Sequence, residues 1–124
     1  MKSLFLPVLA IGAAGCSQPS SPGVVCTSLY AFGLGVTVQD SVTGMPAAAG
    51  ATVIARDGTY ADSSVVPASA PQTTSVSLAG ERAGTYSVTV SKAGYQVWTK
   101  TNIQVTKDVC HVHGVAVAAK LVSG

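Results

Sequence analysis

Two histidines stand one residue apart in the stretch DVCHVHGVAV (residues 108–117), with a cysteine directly before the first. On a β-strand, His111 and His113 would project to one face with Cβ atoms about 6–7 Å apart, a spacing at which two imidazoles can share a zinc or copper ion. A stable site needs three or four ligands. The chain has no third histidine, and Cys110 would point to the opposite face. A further ligand would have to be a carboxylate such as Asp108. The preferred reading is two polar residues at an exposed strand end, with no metal and no cofactor; a small metal-binding protein using His111 and His113 is the alternative.

Other chemistry is harder to place. Nucleophilic catalysis needs a serine or cysteine beside a base and an orienting acid, and both histidines sit at one spot while serines are scattered. There is no Gly-x-Ser-x-Gly elbow, no phosphate-cradling glycine loop and no acid pair suggestive of glycoside hydrolysis. The chain is therefore read as non-enzymatic. A binding role would draw on aromatic faces, which stack on sugars and pack at protein interfaces; Trp98, Tyr95 and Tyr60 are the candidates. The loop of residues 62–71, DSSVVPASAP, is long enough to offer a recognition surface.

The elements that must position these residues are strands. Charged residues make up only 10% of the 124, against about a quarter in ordinary soluble chains. Glycine, serine, threonine, valine and alanine are abundant instead, a mixture that favours strands and tight turns. In LGVTVQD, Leu34, Val36 and Val38 fall on one face; in TYSVTV, Tyr86, Val88 and Val90 do. ATVIARDG reads as a strand ending in an Asp57-Gly58 turn, with TYADSS pairing back as a hairpin. VVPASAPQ carries two prolines and reads as a loop or an edge. TTSVSLAG, TNIQVT and HVHGVAVAAKLV are further strands, the last running from His111. Seven short strands with frequent turn signals predict an all-β, Greek-key sandwich, prealbumin-like or immunoglobulin-like.

The front of the chain reads as an address. MKSLFLPVLAIGAAGC has one lysine, an apolar run over residues 4–11 and small residues before Cys16, the pattern of a secretory signal peptide. SQPSSPG (residues 17–23) reads as a solvated tether that would lift the domain some 20 Å from an anchoring surface at ~3 Å per residue. Without the lysine at position 2, six basic residues face five acidic ones, so nucleic acid is not an expected partner.

AAGC resembles a bacterial lipobox, with Ala13 where leucine is commoner three residues before the cysteine. The resemblance implies removal of residues 1–15, diacylation of the Cys16 thiol and acylation of the new amino terminus, with chains such as palmitate. Several acyl chains hold a protein to a membrane where one alone binds reversibly. Ser17 after the cysteine implies, in a Gram-negative host, the outer membrane facing the periplasm or the cell surface. Residues 24–124 would be the folded domain.

VTVQDSVTGMPAAAGATVIARDG and AGTYSVTVSKAGY resemble the carboxypeptidase regulatory-like domains, which share a prealbumin-like (transthyretin-like) seven-stranded sandwich. The matching positions, among them Asp40, Gly44, Pro46, Gly84, Tyr86, Val88, Val90, Gly94 and Tyr95, are turn and core residues, so the resemblance implies a fold and not an activity. A transthyretin-like hydrolase is a remote alternative, since the Tyr-Arg-Gly-Ser tail of that group is replaced by KLVSG. The paired tyrosines and histidines of intradiol dioxygenases are also missing. With Cys16 taken by lipid, Cys26 and Cys110 remain as a pair in an oxidising compartment and are expected to form a disulfide. The expectation is a lipoprotein of the cell envelope, anchored to a membrane, with an envelope protein or a glycan as partner.

Overall fold

A computed structural model describes residues 25–124. The expected signal peptide, Cys16 and the expected tether lie outside the described residues. Seven strands form: β1 (Phe32–Asp40), β2 (Thr52–Asp57), β3 (Tyr60–Val65), β4 (Val76–Gly80), β5 (Gly84–Ser91), β6 (Trp98–Val105) and β7 (Val115–Leu121). No helix occurs among the described residues. The expected all-β sandwich is what the chain adopts. One sheet has the order β4-β1-β7 and the other β3-β2-β5-β6. The first and last strands lie side by side and parallel, from Leu34 opposite Val115 to Asp40 opposite Leu121.

The period-two pattern decides which faces meet. Leu34, Val36 and Val38 of β1 are buried, as are Val117, Ala119 and Leu121 of β7, and they face Val53 and Ala55 of β2 and Tyr86, Val88 and Val90 of β5. Leu78 of β4 and Ile103 and Val105 of β6 close the sides. Each fully buried valine or leucine stabilises the fold by roughly 1.5–3 kcal/mol relative to exposure. Because so many of these side chains are valine or alanine, the two sheets pack with a thin core.

Turn chemistry sets the connections. Asp57 pairs with Tyr60, leaving Gly58 and Thr59 as the hairpin loop, and Gly58 has φ +61 at the first loop position, as a type II′ turn requires. After β1, the Asp40 carboxylate accepts the backbone N–H groups of Val42 (2.8 Å) and Thr43 (2.9 Å), and Gly44 turns the chain at φ +74. The proline-bearing loop after β3 is stitched down at Gln72. Its carbonyl accepts the Ala48 N–H and its side-chain oxygen the Ala49 N–H. On the edge strand β6 the pairing with β5 slips by one residue near Ser87, where Asn102 takes φ +57. A bulge of this kind twists an edge away from further strand pairing.

One expected strand is shorter than its sequence pattern. The last strand starts at Val115 and not at His111. Asp108 is the reason: its Oδ1 accepts the N–H groups of Cys110 (2.7 Å) and His111 (2.9 Å), while its own N–H donates to the His111 carbonyl. Such a side-chain bond offers the backbone a turn in place of a ladder. Lys107 and Val112 bridge across that turn, and His111 and His113 flank the buried Val112.

Candidate functional site

Cys26 and Cys110 are joined by a disulfide across a sequence separation of 84, with Cα atoms 5.2 Å apart. The bridge brings the segment before β1 against the turn that carries both histidines. A third segment joins them there. Glu81, in the β4–β5 turn at φ +49, exchanges backbone and side-chain bonds with Ala31: its N–H donates to the Ala31 carbonyl (2.7 Å) and its carboxylate accepts the Ala31 N–H (2.8 Å). The same oxygen, Oε2, lies 2.8 Å from Nδ1 of His111, and Nε2 of that ring lies 3.0 Å from the Thr27 hydroxyl.

A carboxylate only accepts, so Nδ1 carries the ring proton. In the neutral imidazole, Nε2 then accepts from Thr27. Hydroxyl, imidazole and carboxylate thus stand in the order of a general-base relay. The same contacts, however, tie three chain segments together beside a disulfide, and that is how we read them. The Ala31 N–H first, then His111, holds the Glu81 carboxyl below its usual range. Asp108 is lowered too, chiefly by the His111 N–H and then the Cys110 N–H.

The histidines therefore face different partners. His111 has both ring nitrogens engaged and is half-buried, whereas His113 is exposed, its Nε2 3.8 Å from Asp108 Oδ2. Among the described residues no group of three or more His, Cys, Asp or Glu is placed to hold a metal ion. Glu81 and Thr27 escape a reading of the sequence because they lie 30 and 84 positions from His111. The one local signal available is that Thr27 adjoins Cys26.

The three aromatic candidates do not share a surface. Tyr60, at the start of β3, lies beneath the Arg82 guanidinium (3.9 Å to the ring centroid) and edge-on to Tyr86. Burial, with Asp62 nearby, raises its hydroxyl pKa. Arg82 also donates to Asp57 Oδ2 and the Tyr86 hydroxyl, both at 3.0 Å, and these bonds, that to Tyr86 foremost, raise its pKa further. Tyr95 and Trp98 belong to the opposite end. Tyr95 donates its hydroxyl to Asp40 Oδ2 (2.8 Å), which raises the tyrosine. The Asp40 carboxyl is lowered by the Thr43 N–H, then by Tyr95 and the Val42 N–H. Trp98 is half-buried against the core. Around these two, Val42, Met45, Val97 and Val122 are exposed.

Clefts on the described surface include two that could be compared with a ligand site. One, about 150 Å³, lies between β1, Pro46 and residues 72–74, below the ~300–1,000 Å³ that encloses a small-molecule ligand. The other is an open trough of about 360 Å³ over Asp57, Tyr86, Thr101 and Asn102 at the β6 bulge. Neither is lined by Thr27, Glu81 or either histidine. The chain matches no protein-family profile, no curated protein and no solved structure significantly.

Proposed function

We propose that this chain is a non-enzymatic lipoprotein of the bacterial cell envelope, a carboxypeptidase regulatory-like sandwich held to a membrane through acylated Cys16. The observation that carries the proposal is the Cys26–Cys110 disulfide. A bridge of this kind belongs to an exported chain, and it accounts for two of the three cysteines. Cys16, at the end of the apolar leader, is the one left for lipid. The ionisable side chains with shifted pKa values support a structural role for the body of the domain. Asp40, Glu81, Arg82 and Asp108 each hold a turn or join two segments.

The end bearing Tyr95, Trp98, Val42, Met45, Val97 and Val122 is the surface that meets an envelope protein or glycan. Intact mass of protein taken from its native membrane fraction tests the anchor. A chain beginning at Cys16 and carrying acyl mass, with no free thiol at Cys26 or Cys110, is expected; an unmodified terminus elsewhere, or free thiols at those two positions, overturns it. A photo-crosslinker at Val97 tests the contact surface in intact cells: a crosslinked envelope component is expected, and crosslinks to lipid alone would refute it.

A further inference from the structure

We infer that the corner where the chain enters the sandwich is a seat for the bilayer surface, so that the domain lies against its membrane in one orientation. The inference rests on the anchored reading above and names the surface that the anchor brings to the lipid. Four apolar side chains project there into solvent: Val25 is 90% exposed, Val109 78%, Leu29 70% and Tyr30 62%. Val25 and Val109 each adjoin a cysteine of the bridge. Tyr30 lies over Gly80, where a Cβ would strike its ring, and packs edge-on to Phe32 with centroids 5.2 Å apart. The disulfide and the bonds of Glu81 to Ala31 and His111 fix the backbone beneath them. The patch is therefore held by its framework and left uncovered. Exposed apolar clusters of this kind mark contact surfaces.

Chain length selects lipid as the occupant. Eight residues lie between Cys16 and Val25, a reach of at most about 30 Å, and the chain arrives at this corner and not at the far end. A covalent anchor holds the patch near the bilayer at high effective concentration, so a contact too small to bind from solution is enough. A tyrosine flanked by aliphatic side chains suits the headgroup boundary, where aromatic rings gather.

The test uses the lipidated full chain in vesicles of phosphatidylethanolamine and phosphatidylglycerol containing a brominated phosphatidylcholine, with flotation to verify attachment. The natural tryptophan, Trp98, reports on the far end; a Y30W/W98F variant reports on the corner. Burial of the side chain at the acyl boundary predicts about a twofold loss of the Y30W emission to bromine, with Trp98 emission nearly unchanged. Adding V25S, L29S and V109S to the Y30W/W98F chain is expected to restore the emission while the protein still floats. Floating protein without quenching at position 30 would overturn the docking and leave the anchor standing. Equal quenching at both positions would refute a single orientation. Protein that fails to float would defeat the anchored reading and this inference with it. Unquenched emission accompanied by crosslinks between copies at position 30 would give the corner to a second copy and refute lipid contact.

Discussion

The hydroxyl of Tyr86, on the buried face of β5, donates to the carbonyl of Arg82 four residues earlier at 2.8 Å, and receives the Arg82 guanidinium at 3.0 Å. The arrangement parallels the tyrosine corner of Greek-key sandwiches, where a core tyrosine bonds back to the backbone a few residues upstream. It places the β4–β5 turn, and with it Glu81, over the end of the core. Tyr86→Phe keeps the ring and removes both bonds. The expected cost is about 1–2 kcal/mol, since the Arg82 carbonyl is partly reached by water and pays only part of a buried desolvation penalty. Urea unfolding with an unchanged slope checks it; a variant as stable as the parent would show the hydroxyl to be incidental.

Reduction of the disulfide is the second prediction. The chain-entropy relation gives about 4.5 kcal/mol for closing a loop of this length. That figure is an upper bound here, because residues 25–30 are exposed and held mainly by the bridge and a few hydrogen bonds. Once reduced, the segment frays in the folded state and regains part of the entropy, so a loss of about 2–4 kcal/mol is expected. Hydrogen exchange should accelerate at Ala31, whose N–H is bonded to the Glu81 carboxylate in the intact protein, with β1 remaining protected. Uniform loss of protection across both sheets would contradict local fraying.

The strands were legible because burial on one face leaves a period of two in the sequence: Leu34, Val36 and Val38, and again Tyr86, Val88 and Val90, needed no long-range information. The turns at Gly44 and Gly58 were equally local, set by backbone angles that glycine accepts without strain. The histidine turn was not legible. Its apolar alternation continues that of β7, and only the Asp108 carboxylate, competing for two N–H groups, ends the strand pattern at Gly114. The Glu81 and Thr27 contacts belong to tertiary structure, and no spacing encodes them. The pairing of Cys26 with Cys110 follows from counting cysteines in a chain expected to be exported, a compartment argument with no geometry in it. Likewise the aromatic residues could be named from their types, but only the fold separates Tyr60 from Tyr95 and Trp98.

Zinc makes a third prediction. To ligate through His111, a metal must displace either Glu81 or Thr27 from a ring nitrogen already bonded. His113 alone offers a single exposed imidazole. Calorimetric titration of the disulfide-bonded domain with zinc is therefore expected to give no stoichiometric binding at micromolar concentration. Stoichiometric uptake lost in the His111→Gln/His113→Gln double variant would reverse this reading and restore the metal-binding alternative.

Acid supplies the last prediction. Asp40, Glu81 and Asp108 all have carboxyl groups held below their ordinary values in the folded chain, each chiefly by a backbone N–H: those of Thr43, Ala31 and His111 respectively. A group whose pKa is depressed by folding binds more protons when unfolded. Its contribution is thus complete above the unfolded value, near pH 4, and is lost as pH falls through the lower folded value. The part of the stability that these three carboxylates supply should accordingly be constant down to about pH 5 and decline below about pH 4. Glu81→Gln keeps the side chain's length but carries no charge for the Ala31 N–H and the His111 ring to favour. The variant should be less stable than the parent at neutral pH, and the gap should narrow as the parent's Glu81 is protonated. Denaturation curves across this pH range decide the matter: a gap that stays constant down to the lowest pH would mean that the carboxylate's charge contributes nothing at the corner, and no gap at any pH would mean that Glu81 acts there only through its backbone bond to Ala31.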